Sequence, residues 1–204
     1  MGTVLKVILK SSLESMEQVV ISSGLTDSFN PSLAIDTEDN VHVVWDKGEA
    51  NRTQIYYAVY GNGVWSQQTP LTSGETAAEN PSVTVASVGT VYVLYDKNDG
   101  QIYMIEYSNG WSREKKLTAS GENTYPSVRW SFSNNPLNGL GGRIDYLWTS
   151  RERDQISVRY GNILIHRGHV EKAGSPLTLL GLAIAGVAVA AALSLILLHR
   201  KRST

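Results

Sequence analysis

Cysteine is absent from this chain of 204 residues. That excludes disulfide staples, thiolate metal sites and a cysteine nucleophile, while leaving the compartment open. An excess of one charge is missing too, since 18 Lys and Arg face 19 Asp and Glu. No overall basic field is therefore available to hold nucleic acid. Metal-ligand spacing is lacking among His42, His166, His169 and His199, and no Ser-His-Asp motif is legible. Gly139-Leu140-Gly141-Gly142 lacks the strand-to-helix context of a phosphate loop. No cofactor is expected. Phenylalanine is scarce, at two, against ten Tyr, five Trp and 18 Gly. Amphipathic aromatics and many glycines suit short strands joined by tight turns.

Long apolar runs are also missing, with one exception. Pro176 to Leu198 holds 23 residues without a charge. At ~1.5 Å rise per residue, such a helix crosses a ~30 Å hydrocarbon core. Residues 176–198 are thus expected to form a transmembrane helix in contact with the lipid bilayer. Gly181, Ala185, Gly186, Ala188 and Ala192 supply small residues that permit helix–helix contact. His199-Arg200-Lys201-Arg202-Ser203-Thr204 follows as a basic tail, which the positive-inside rule places in the cytoplasm. Residues 171–175 read as a linker. The expected location is the plasma membrane, single-pass, with the rest of the chain outside. Met1 to Ser12 is broken by Lys6 and Lys10 and is no signal-peptide core. Either the chain is the C-terminal piece of a longer protein, or it inserts tail-first. The basic tail favours the first.

Upstream of the anchor the chain repeats itself. Asn30-Pro31-Ser32 recurs as Asn80-Pro81-Ser82 and again as Tyr125-Pro126-Ser127. Trp45-Asp46-Lys47 recurs as Tyr95-Asp96-Lys97, with Trp148-Thr149-Ser150 as a degenerate third copy. Ile55-Tyr56-Tyr57 matches Ile102-Tyr103-Met104 and, loosely, Ile156-Ser157-Val158. Tyr60-Gly61-Asn62-Gly63-Val64-Trp65-Ser66 matches Tyr107-Ser108-Asn109-Gly110-Trp111-Ser112. Leu71-Thr72-Ser73-Gly74-Glu75 is echoed by Leu117-Thr118 and then Ser120-Gly121-Glu122. The landmarks keep their order at a period of about 45 to 53 residues.

Each unit contains four β-type runs, in the second copy Ser82–Ala86, Thr90–Tyr95, Gln101–Tyr107 and Trp111–Thr118. Asn-Gly and Asp-Gly turns separate several of them, a strong hairpin signal. Four antiparallel strands per period point to a β-propeller blade. A β-sandwich also uses short strands but does not repeat landmarks in this way. The expected fold is therefore all-β, a partial β-propeller of about three to three and a half blades, followed by one transmembrane α-helix. Residues 1–24 would end a preceding blade and residues 25–170 form three blades. Such an open array has two exposed sheet edges. A longer parent chain, a homodimer closing the ring, or a curved non-ring sheet would each resolve them.

The stretch Asn30-Pro31-Ser32-Leu33-Ala34-Ile35-Asp36, with Asn40-Val41-His42-Val43-Val44-Trp45, resembles the BNR/Asp-box sialidase-like propeller repeats. The resemblance covers roughly residues 18 to 165, with degenerate Asp-boxes. It implies a propeller module of secreted or surface proteins. A sialidase reading would further need an arginine cluster, a Tyr–Glu nucleophile pair and an Asp acid.

Candidate sites follow from the turns. Asp36, Glu38 and Asp39 supply oxygens of the kind that ligate Ca²⁺, and read equally as an Asx turn. Asp46, Lys47, Asp96 and Lys97 end repeated strands where propeller ligands commonly sit, and read equally as loop-holding pairs. Arg151 and Arg153 lie at a charged hairpin tip. Asn51-Arg52-Thr53 is a glycosylation sequon at Asn51, usable if the domain is exported. Trp65 and Trp111 offer faces for sugars, although their repetition favours packing between blades. The leading expectation is a membrane-anchored, surface-displayed, non-catalytic module that binds protein or glycan. The alternatives are a partial sialidase-like glycoside hydrolase and a structural cell-envelope protein.

Overall fold

Runs rich in Val, Ile, Tyr and Trp, cut by Gly, Asn and Asp, become strands because branched and aromatic side chains suit a pleated surface. The computed structural model describes residues 6–12, 15–49, 52–131, 142–166 and 169–172. The expected transmembrane helix and its basic tail, and the sequon residue Asn51, lie outside them. Among the described residues no helix is long and apolar enough to cross a membrane. The chain divides into two compact parts, Met1–Glu171 and Lys172–Thr204, and the buried apolar side chains described below belong to the first.

The fold is all-β, built of antiparallel sheets that run in chain order, none of them closed. β1 (Lys6–Ser12) pairs with β2 (Ser15–Val20). Unit I holds β3 (Ser28–Ile35), β4 (Val41–Lys47), β5 (Gln54–Gly61), β6 (Val64–Trp65) and β7 (Thr69–Pro70). Unit II holds β8 (Ala78–Val85), β9 (Val91–Lys97), β10 (Gln101–Tyr107) and β11 (Lys115–Lys116). Unit III holds β12 (Glu122–Ser131), β13 (Gly142–Glu152), β14 (Gln155–His166) and β15 (His169–Lys172). Lys6 stands opposite Val20 as Tyr56 stands opposite Pro70, so the first hairpin repeats the β5–β7 register 50 residues upstream.

The units stack face to face, and this sets the core. Residues Val91 to Asp96 of β9 are all buried, on both faces of the strand. On one side Val91, Val93 and Tyr95 join Val44 and Ile55 of unit I. On the other Tyr92, Leu94, Ile102 and Met104 join Ile144, Tyr146, Ile163 and Ile165 of unit III. A strand covered on both faces reads as a continuous apolar run rather than as an alternation.

The Asn-Pro-Ser motif does not precede the first strand of each unit but lies inside it, so β8 begins at Ala78 rather than Ser82. Pairing slips between Phe29 and Ser32, Glu79 and Ser82, and Thr124 and Ser127. Asn30, Asn80 and Tyr125 take positive φ of 48°, 52° and 53° at these bulges. A bulge re-aims the strand without ending it, which is why proline is tolerated there. The last expected strand of unit II shrinks to Lys115–Lys116, with a single bridge from Tyr107 to Trp111. In unit III the register places Val158 opposite Thr149, where Ile102 stands opposite Asp96. The third copy is thus offset by two residues from its sequence match at Ile156, because the β13–β14 turn is only Arg153-Asp154.

Asparagine accepts positive φ more readily than tyrosine. Tyr125 is 66% exposed and carries little packing to lose. Tyr125→Asn is therefore expected to stabilise the fold by about 0.5–1 kcal/mol, read as a rise in melting temperature. A lower melting point would show that the tyrosine ring holds the bulge in place.

Candidate functional site

Repeated polar residues do two different jobs in this stack. The first job is to clip one unit to the next. Asn30 Nδ2 donates to Asp46 Oδ2 at 2.8 Å, and the Asn80 amide of unit II donates to the same oxygen at 2.9 Å. One unit on, Asn80 Nδ2 donates to Asp96 at 3.0 Å, and the Tyr125 amide of unit III donates to Asp96 Oδ2 at 2.8 Å. Ser32 Oγ accepts the Val83 amide, and Ser82 Oγ accepts the Val128 amide. Asp46 and Asp96 are buried, so these candidates fasten the stack instead of meeting solvent. Burial pushes the Asp96 carboxyl up to about 6, and the bonds from Tyr125 and Asn80 only partly offset it.

Lys47 and Lys97 are also turned inward. Lys47 donates to the Ser23 carbonyl and lies over the Tyr56 ring, and burial lowers its pKa. Lys97 donates to Glu114 at 2.7 Å and lies over the Tyr103 ring. Each cation thereby ties its strand to the outer part of its own unit.

Asp36 closes an Asx turn. Its carboxylate accepts the Glu38 and Asn40 amides at 2.8 and 2.9 Å, Asn40 Nδ2 at 2.9 Å, and contacts His42 Nε2 at 3.1 Å. Burial alone would raise this carboxyl, but the bonds from Asn40, His42 and Glu38 outweigh it and hold it at about 2. His42 Nδ1 meets the Tyr57 hydroxyl at 2.7 Å. The Tyr57 ring then meets Trp111 of unit II edge-on at 5.0 Å. Trp111 thus packs between units, and Trp65 is matched by its own partner Tyr60 at 5.4 Å. Among the described residues no group of three or more His, Asp or Glu is placed to hold a metal ion.

The second job concerns the end of each unit where the β4–β5, β9–β10 and β13–β14 turns lie. The loops that lead from one unit to the next reach this end. Gln54 Nε2 donates to the Thr72 carbonyl at 2.9 Å, and Gln101 Nε2 to the Gly121 carbonyl at 2.9 Å. Thr72 Oγ1 and Thr118 Oγ1 accept the Ile55 and Ile102 amides. These bonds explain the Leu-Thr…Ser-Gly-Glu echo, because they hold each loop beside a turn. Gly74 and Gly121 have φ of 74° and 76°, and a Cβ on Gly74 would meet Gln54 Nε2 at 2.7 Å.

Open polar clefts result. In unit III Arg151, Glu152 and Arg153 face Ser120, Gly121 and Glu122 across a cleft of about 550 Å³. In unit I Lys47, Gly48, Glu49, Arg52, Gln54 and Tyr56 face Thr26 across about 660 Å³. Arg52 and Gln54 also line a neighbouring cleft with Ser73, Gly74 and Glu75, of about 500 Å³. Of the residues expected to touch a ligand, Arg151 and Arg153 are thus the pair brought together at an exposed site. Sequence reasoning missed Arg52, Gln54, Ser120 and Glu122. Their signal was the repeated Ser-Gly-Glu, whose position against a turn is set by long-range pairing.

A Tyr–Glu pair does exist: Tyr95 donates to Glu114 at 2.9 Å. Tyr95 is wholly buried, and burial followed by the Glu114 carboxylate raises its phenol far above the ordinary value. A phenol so placed is no nucleophile.

No family model matches the chain, and no curated protein matches it. Among solved structures the chain is similar to a fucose lectin from Kordia zhangzhouensis in complex with methyl-fucoside. The identity is 12% and the TM-score 0.43, over 71% of this chain and 98% of that chain.

Proposed function

We propose that this chain is a non-catalytic binding module that takes glycan or protein in the clefts at the turn end of its units. In this reading the units are BNR/Asp-box-like propeller blades, displayed at the cell surface. Residues 176–198 anchor them in the plasma membrane, and residues 199–204 lie in the cytoplasm. The observation that carries the reading is recurrence. A turn bearing arginine faces a unit-joining loop in both unit I and unit III. Guanidinium forks beside carboxylates and loop backbone groups suit the mixed donors and acceptors of sugar hydroxyls or polar peptide.

The test is a glycan array and an extracellular protein panel, followed by calorimetric titration of the best ligand. Arg151→Ala with Arg153→Ala should weaken binding tenfold or more. Because both side chains are exposed, the melting temperature should stay unchanged. Wild-type affinity in the double variant would remove the cleft from the binding surface. Protease added to intact cells should cut the units and spare the tail, and protection of the units would overturn the display.

A further inference from the structure

Each unit in the middle of the stack has two covered faces, but the stack itself has two ends. Call the face toward the preceding unit leading and the face toward the next unit trailing. Register makes the positions equivalent. Val44, Leu94 and Leu147 stand opposite the serine of the repeated motif, at Ser32, Ser82 and Ser127. Ile55, Ile102 and Val158 stand opposite Asp46, Asp96 and Thr149.

The trailing faces of units I and II are closed. Val44 and Ile55 are buried against Val83 and Val85, while Leu94 and Ile102 are buried with Val128 and Trp130 packed beside them. The trailing face of unit III carries the same chemistry uncovered. Leu147, Val158 and Tyr160 are exposed, Val158 to 74%. The leading face of unit I is its counterpart. Leu33 and Ile35 occupy the places of Val83 and Val85, yet Leu33 is 57% exposed. Pro31 is exposed where Pro81 and Pro126 are buried. Ile21 packs with Val43 and Trp45 elsewhere on this face and leaves the β3 strip open.

The polar clip is duplicated at the two ends as well. Ser127 is exposed and stands where Ser32 and Ser82 accept an amide of the next unit. On β3, Leu33 stands where Val83 and Val128 give that amide. Thr149 replaces Asp46 and Asp96 and keeps a hydroxyl acceptor there. Asn30 stands where Asn80 and Tyr125 supply the second donor.

We infer that the trailing face of unit III docks the leading face of unit I of a second copy of this chain. The contact continues the interface already made between units I and II and between units II and III. It is heterologous, and a pair of copies uses it twice to close on itself. Burial removes two apolar strips that a free monomer would leave in water. The inference does not depend on the ligand clefts, which lie at another part of each unit.

The test is the protein mass of the full chain in detergent micelles, by light scattering corrected for bound detergent. Wild type should run as a dimer. Leu33→Lys and Val158→Glu should each run as a monomer with an unaltered monomer circular dichroism spectrum. Mixing the two variants should restore the dimer, because one contact is then wild type and the other brings lysine and glutamate together. A wild-type monomer overturns the inference. A dimer that survives both substitutions also overturns it, and assigns association to another part of the chain. If either variant is misfolded, Ile156→Lys replaces Val158→Glu, since Ile156 is exposed on the same strand. Failure of the mixture to associate counts against the head-to-tail geometry.

Discussion

Asp96→Ala is expected to destabilise the fold by about 2–5 kcal/mol at pH 4 and by distinctly less at pH 7. The offset comes from the clip. Two donors, the Tyr125 amide and Asn80 Nδ2, converge on this carboxyl between units II and III. Removing their acceptor leaves them unsatisfied in a buried setting, at about 1–3 kcal/mol each. The pH trend comes from burial. The carboxyl titrates at about 6 in the fold against an ordinary aspartate value of 3.8.

Between those values the folded state holds a proton that the unfolded chain has lost. Stability therefore falls as pH rises through this window, and stays reduced above it. The shift amounts to about 3 kcal/mol held against the wild-type fold at neutral pH. Alanine removes that penalty together with the clip, so its net cost shrinks toward neutrality. Asp96→Asn separates the two effects. Its carbonyl still serves the Tyr125 amide, and Asn80 can turn its amide over, so the offset nearly vanishes while the pH trend remains. Urea unfolding followed by tryptophan fluorescence at pH 4 and pH 7 reads both quantities. A pH-independent difference between wild type and Asp96→Asn would mean that the carboxyl is not desolvated.

Asp36 works in the opposite direction. Its folded value of about 2 lies below 3.8, so its contribution is present above that range and lost as acid protonates it. The two carboxylates thus bracket a window near pH 4 in which neither penalises the fold.

The repeat itself was legible because its landmarks are identities at a near-constant spacing. Each now has a cause: Asn and Pro form the bulge, Asp and Ser clip the next unit, and Thr holds the unit-joining loop. Those causes were hidden, since every one is a bond between residues 16 to 51 positions apart. Local pattern made Asn80-Pro81 a turn before a strand, because a proline reads as a break unless the register slip around it is known. Arg151 and Arg153 were visible as a charged tip, whereas Arg52 and Glu122 gained meaning only when loops met turns. The third unit was hardest to align. Its shortened β13–β14 turn and the change from Asp to Thr149 erased the landmark used for the other two.

Leu94→Ala and Leu147→Ala show what position in the stack does to one repeated site. Both leucines sit opposite the motif serine of their unit, at Ser82 and Ser127. Leu94 is 0% exposed and surrounded by Tyr92, Met104, Ile144 and Ile163, whereas Leu147 is 46% exposed. Truncating a buried leucine removes transfer energy and leaves a cavity, so Leu94→Ala should cost about 3–5 kcal/mol. Truncating Leu147 removes only part of one exposed side chain, at under ~1 kcal/mol of fold stability, measured on dilute protein that is held monomeric. The same substitution should weaken association between copies, which dilution experiments read directly. Equal losses of fold stability at the two positions would mean that a further layer covers unit III within the chain. Unequal losses locate the end of the stack there, and leave the outer face of unit III free to meet another molecule.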